Sequence, residues 1–136
     1  MSEQPRRNED RFYRYPMRRV VAILDDDASV EVALRGLHQT GVNVSSVNVL
    51  SGAEGARLLD RTGTGHGLRA RLLRLAQWGA YESTALDAHD RALRSGRDVV
   101  FVPVRGADQR SRVVDVLRAA GGYYLLHFRL WNIEKL

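Results

Sequence analysis

The residues best suited to chemistry fall between Leu50 and Gly67, in LSGAEGARLLDRTGTGHG. Ser51 and Gly52 leave an apolar strand and open a helix. Free backbone N–H groups and the positive end of the helix dipole there suit an anion. Arg57 and His66 add side-chain donors, so Ser51, Gly52, Arg57 and His66 make a candidate site for an anion or nucleotide. Glycines at 63, 65 and 67 permit close backbone approach, and His66 between two of them suits a pH-responsive group or a general base. The stretch matches neither the P-loop nor the dinucleotide glycine fingerprint. A plainer reading competes: Ser51 and Glu54 fit a capping box, the glycines a linker, and Glu54 opposes an anion.

Other reactive types are sparse. Asp25, Asp26 and Asp27 follow an apolar strand and precede a helical pattern, which favours capping over divalent-cation binding. His38, His89 and His127 lack the spacing of a metal site, and His89 falls on the apolar side of its helix. No GxSxG surrounds Ser51. There is no cysteine, which excludes disulfides and thiol chemistry. The reading therefore assigns no catalytic residue, no metal and no cofactor, and leans away from an enzyme.

At 136 residues the chain has room for one domain with a true core. The expected division is a mobile basic arm over 1–17 and one domain over 18–136. Within the arm, Arg11, Phe12, Tyr13, Arg14 and Tyr15 interleave guanidinium groups and rings, a pattern that can stack on bases and meet phosphates. Six arginines against three acids leave +3 in the first 19 residues, and the total is +5. The remaining +2 is no nucleic-acid footprint by itself. No apolar run is long enough for a membrane span, and the N-terminus lacks a signal-peptide pattern. The expected location is cytoplasmic.

The elements that must position these residues follow from period and punctuation. Arg19 to Leu24 is a strand with both faces apolar. Val30, Ala33, Leu34 and Leu37 give one stripe of a helix over Ala28 to Thr40, stopped by Gly41. Val42 to Leu50 reads as a strand with a kink at Ser45-Ser46, Val42 and Val44 on one face and Val47 and Val49 on the other. Helical patterns fill the interval from Gly52 to Arg94, broken by the loop from Asp60 to Gly67. Asp98 to Val104 is a strand with Pro103 near its end, and Asp108 to Ala120 a helix stopped by Gly121-Gly122. Tyr123 to Trp131 is the last strand, and NIEKL a tail.

Strand, helix and glycine recur at an offset of about 80 residues, so the chain reads as two β-α-β units. That predicts an α/β fold of the α+β sandwich type: a ferredoxin-like pseudo-repeat with strand order 4-1-3-2 and a helical insert at about 52–95 between strands 2 and 3. A parallel flavodoxin-like sheet is the alternative. The strand-DD-helix-G start, VNVLSGAEGARLLD…GTGHG and the terminal RLWNIEKL together resemble small, largely uncharacterised bacterial proteins of the general-stress or heat-induced-stress type. The resemblance spans roughly Arg19 to Leu136 and implies a ferredoxin-like domain without an established catalytic set.

The leading expectation is a non-enzymatic cytoplasmic binding or interaction domain, stress-related by resemblance. The alternatives are a small-ligand sensor or small enzyme using 51–67, and an RNA- or ribosome-associated protein acting through the arm. An aromatic last strand would leave one sheet face to be covered by the insert helices or by a second subunit, and the latter predicts a homodimer. No membrane partner is expected.

Overall fold

A computed structural model describes residues 5–7, 18–56, 81–128 and 133–136. They form an α+β domain on a six-stranded sheet. Its strands are β1 (Arg6–Arg7), β2 (Arg19–Leu24), β3 (Asn48–Ser51), β4 (Asp98–Pro103), β5 (Tyr123–Phe128) and β6 (Ile133–Lys135). Its order is β1-β3-β4-β2-β5-β6. Five strands are mutually antiparallel, and β1 alone runs parallel, to β3. The antiparallel ladders exclude the parallel alternative.

β2 is central because both of its faces are apolar. Val20, Val21, Ala22, Ile23 and Leu24 are all buried. Val20, Ala22 and Leu24 face α1 (Asp27–Gln39) and α3 (Ala107–Ala119), in one core with Val30, Leu37, Val100, Val102, Val113 and Leu117. Val21 and Ile23 alternate to the opposite face. There α2 (Tyr81–Arg94) packs on β4, bringing His89 edge-on to Phe101. Of the two covers foreseen for this face, the insert helix is the one present among the described residues.

Local chemistry sets the helix ends. The Asp26 carboxylate accepts from the Ser29 N–H at 2.8 Å and opens α1. At the other end Gly41 adopts φ +88°, and the Gly41 and Val42 N–H groups close back on the carbonyls of His38 and Leu37. The same pair of bonds ends α2 at Gly96-Arg97 and α3 at Gly121-Gly122. Pro103 ends β4 opposite Arg19, where its missing N–H costs the ladder least.

Two sequence expectations need correction. Val42 to Leu50 is not one strand: Val44–Ser46 is a 3₁₀ turn, and β3 begins at Asn48. The Asn43 side chain accepts from the Ser45 N–H at 3.1 Å and the Ser45 hydroxyl at 2.7 Å, while the Ser46 hydroxyl donates to the Asn43 carbonyl at 2.6 Å. These local bonds compete with ladder pairing. Val42, Val44, Val47 and Val49 consequently all enter the same core rather than alternating. The second correction concerns NIEKL, which supplies β6 and pairs with β5 through Leu126↔Lys135 to Phe128↔Ile133. Three ladder residues are too few to show a period.

Helices α1 and α3 approach through Gly36. A Cβ built there would lie 2.7 Å from Cγ1 of Val116, inside any real carbon contact. Helix propensity favours alanine over glycine by about 1 kcal/mol, whereas overpacking against a χ1-stiff valine costs about 1–3 kcal/mol. Gly36→Ala should therefore be neutral to destabilising by about 2 kcal/mol. In the Val116→Ala background the same change should be stabilising. Urea denaturation of the four chains reads the coupling, and additive effects would show that the contact does not limit helix approach.

Candidate functional site

Ser51 ends β3, and Gly52 steps at φ +57° into helical residues 52–56. Arg57 and His66 lie outside the described residues, as do Arg11, Phe12, Tyr13, Arg14 and Tyr15. What surrounds Ser51 is acidic. Ladder pairing sets Asp98 between Ser51 on β3 and Leu24 on β2, while Asp27 lies in the first turn of α1. The Arg7 guanidinium donates to the Ser51 hydroxyl and to Asp27 Oδ1, at 3.3 Å for the latter.

Asp98 is buried, and burial, followed by a hydrogen bond to Asp27, pushes its carboxyl up to about 7. The same hydrogen bond is the chief cause holding Asp27 below its ordinary range. The pair thus shares one proton, carried by Asp98 below neutrality. Two carboxyl groups beside Ser51 make this end of the sheet poor for an anion and favourable for a guanidinium. Next to it, Arg97 donates to the Tyr123 hydroxyl at 2.6 Å and lies 3.9 Å from Asp25.

The opposite end of β4 has the reverse character. Arg18, Val104, Arg105, Gly106, Ala107, Arg110 and His127 line a cavity of about 370 Å³. A second cavity of about 520 Å³, lined in part by Thr40, Arg105, Asp108 and Arg112, adjoins it along the start of α3. Gly106 is the N-cap of α3 and supplies no side-chain bond to the first turn. Gln109 instead turns back, accepting from the Arg105 N–H at 2.7 Å. Negative charge is present too: Glu134 takes both Arg110, at 3.4 Å, and His127 Nδ1, at 3.3 Å, and Asp108 lies in the first turn of α3. Arg18 and Arg105 have no ion-pair partner among the described residues.

The two β-α units differ in charge where their helices begin, a comparison the sequence reading did not make. At an offset of 80, Asp25-Asp26-Asp27 corresponds to Arg105-Gly106-Ala107. The capping acid of the first unit is replaced in the second by glycine beside arginine. Charge inversion at equivalent positions was the available signal.

A third polar feature lies under α2. His89 is buried between Phe101 and Tyr124, with ring centroids at 6.3 and 6.0 Å. His89 Nε2, the Tyr124 hydroxyl and Asn48 Oδ1 are buried without hydrogen-bond partners among the described residues. Desolvation lowers the imidazole to about 4. Among the described residues no group of three or more His, Asp or Glu could hold a metal ion, and no helix is long and apolar enough to cross a membrane. Compared with protein-family models, curated proteins and solved structures, the chain matches none.

His89 and Asp98 should tilt the pH dependence of stability in opposite directions. As pH falls from 6.5 to 4, the unfolded histidine takes up a proton that the folded one refuses, so folding loses on the order of 3 kcal/mol. As pH rises from 4 to 7, the unfolded aspartate has released a proton that folded Asp98 retains, so the stabilisation this group contributes at low pH drains away. His89→Leu should expose the falling slope and Asp98→Asn the rising one. Urea midpoints at pH 4.5, 5.5 and 6.5 test both. Profiles parallel to wild type in either variant would show that the corresponding group does not titrate with folding.

Proposed function

We propose that the protein is a non-enzymatic binding domain of ferredoxin-like fold that takes a small, multiply charged anion at the start of α3. The fold reading is supported by the order β5-β2-β4-β3 among antiparallel strands, with α1 and α3 on one face. The resemblance to general-stress and heat-induced-stress proteins supports a stress-related, cytoplasmic setting. The observation that carries the binding reading is the cavity of about 370 Å³ with Arg18, Arg105 and Arg110 in its wall. Its floor is a helix start without a side-chain cap.

The physical case is one of unmet demand. The first N–H groups of a helix have no intrahelical partner. Asp26 answers them at α1, and among the described residues no side-chain cap does so at α3. An anion in the cavity would meet those groups together with two guanidiniums, Arg18 and Arg105, that have no carboxylate partner among the described residues. Arg18 is held for this by its backbone: at φ +59° its carbonyl accepts from the Val104 N–H at 3.0 Å, which ties it to the end of β4. Among the described residues that line the cavity no serine, threonine or cysteine stands beside a base, which supports a reading of binding without turnover.

Inorganic pyrophosphate, titrated calorimetrically at fixed salt, is the probe. Losing one charge-assisted contact costs about 1.5–3 kcal/mol, so Arg105→Ala and Arg18→Ala should each weaken binding roughly 10- to 100-fold. Ser51→Ala should leave it unchanged. Equal binding by wild type and both arginine variants would reject the site, and loss in Ser51→Ala would return it to the other end of the sheet.

A further inference from the structure

Arg105, Gly106 and Ala107 line both cavities at the start of α3, the one of about 370 Å³ and the one of about 520 Å³. The two therefore form one groove with two compartments of unlike chemistry. The first carries Arg18, Arg105 and Arg110, with no carboxylate among the described residues of its wall. The second adds Thr40, which follows α1, and Asp108, Gln109 and Arg112 from α3. We propose, resting on the anion reading above, that the ligand is a phosphorylated sugar or polyol. Its phosphoryl group sits among the arginines and its hydroxyls lie against the second compartment.

A phosphate monoester carries about −1.5 to −2 at neutral pH, which fits the first compartment. A hydroxyl both donates and accepts, so a surface for several of them needs donors and acceptors side by side. The second compartment has that mixture. The Asp108 carboxylate only accepts, and the Arg112 guanidinium only donates. The two stand one turn apart on α3 and form no ion pair with each other. Gln109 uses its side-chain oxygen on the Arg105 N–H at 2.7 Å, which leaves its amide nitrogen as a donor. The Thr40 hydroxyl donates to the Leu37 carbonyl at 2.8 Å, which leaves its oxygen to accept. Both of these side chains are tied within the chain, so less freedom is lost when a ligand binds.

The same lining disfavours other organic phosphates. An acyl chain needs an apolar wall, and Ala107 brings the one apolar side chain of the second compartment. A nucleobase is commonly held on an aromatic face, and no aromatic residue lines this compartment. A second phosphoryl group there would meet Asp108. That aspartate also suits a helix start electrostatically, but such a role requires neither Gln109 nor Arg112 beside it.

The test titrates the full chain calorimetrically, at fixed salt and pH 7, with inorganic phosphate, ribose 5-phosphate and adenosine monophosphate beside the pyrophosphate used above. Ribose 5-phosphate should bind roughly tenfold tighter than inorganic phosphate. Asp108→Ala should tighten inorganic phosphate by roughly two- to threefold, because a like charge is removed, and should bring ribose 5-phosphate to within about twofold of it. Arg112→Ala should also narrow the ratio of the two. If pyrophosphate binds but ribose 5-phosphate is held no tighter than inorganic phosphate, the hydroxyl compartment is rejected and the anion reading stands. A ratio unmoved by both variants rejects it equally, as does adenosine monophosphate binding more tightly than ribose 5-phosphate. Failure of pyrophosphate to bind at all would reject both readings together.

Discussion

Everything described here depends on β2 being buried on both faces and paired on both edges. Such a strand has no side to offer water, so its sequence must be apolar throughout, and Arg19 to Leu24 is apolar after its first residue. Once β2 is central, each face of the sheet needs its own cover. The pair α1 and α3 answers one face through Val30, Leu37, Val113 and Leu117, and α2 answers the other. Loops and helix starts then gather at the two ends of the sheet, which is where both candidate sites lie.

The layout was legible because its signals are local. A two-faced apolar run, a stripe at helical spacing, an aspartate before a helix and a glycine after one each carry their own meaning, and Asp26, Gly41, Pro103 and Gly121 sit where such reasoning puts them. What escaped was decided by competition or by distance. Asn43 and the serines after it look compatible with a strand, and only their mutual hydrogen bonds turn the chain into a 3₁₀ turn. β6 is intelligible only beside β5. The Arg7 contact spans 44 residues to Ser51, and no local pattern announces it. The Asp27–Asp98 proton pair likewise joins two helix- and strand-starting acids that are ordinary when read singly.

The two β-α units share a frame and differ in charge. Their helices have equal lengths of 13 residues and end in the same glycine motif. Yet one helix begins under its own aspartate, and the other begins under a glycine flanked by arginine. A repeated frame with inverted charge lets one small domain present an acidic end and a basic end without a second fold. This is an economical route to two unlike surfaces, because the packing requirements of each unit are left untouched.

The bulge in β5 has a consequence for assembly. Leu126 lies opposite Val21, whereas Tyr123 lies opposite Ile23, so three steps on β5 are matched by two on β2, and Tyr124 takes up the slack at φ +53°. A left-handed tyrosine is strained by about 1–3 kcal/mol. What it secures is phase: Leu125 enters the core with α1 and α3, and Leu126, also buried, alternates to the opposite face. A strand with apolar residues on both faces can slide by one position without an obvious penalty, and a smooth β5 would have that freedom. The bulge works as a ratchet tooth, since the misaligned sheet would have to carry the same kink where no partner residue accommodates it.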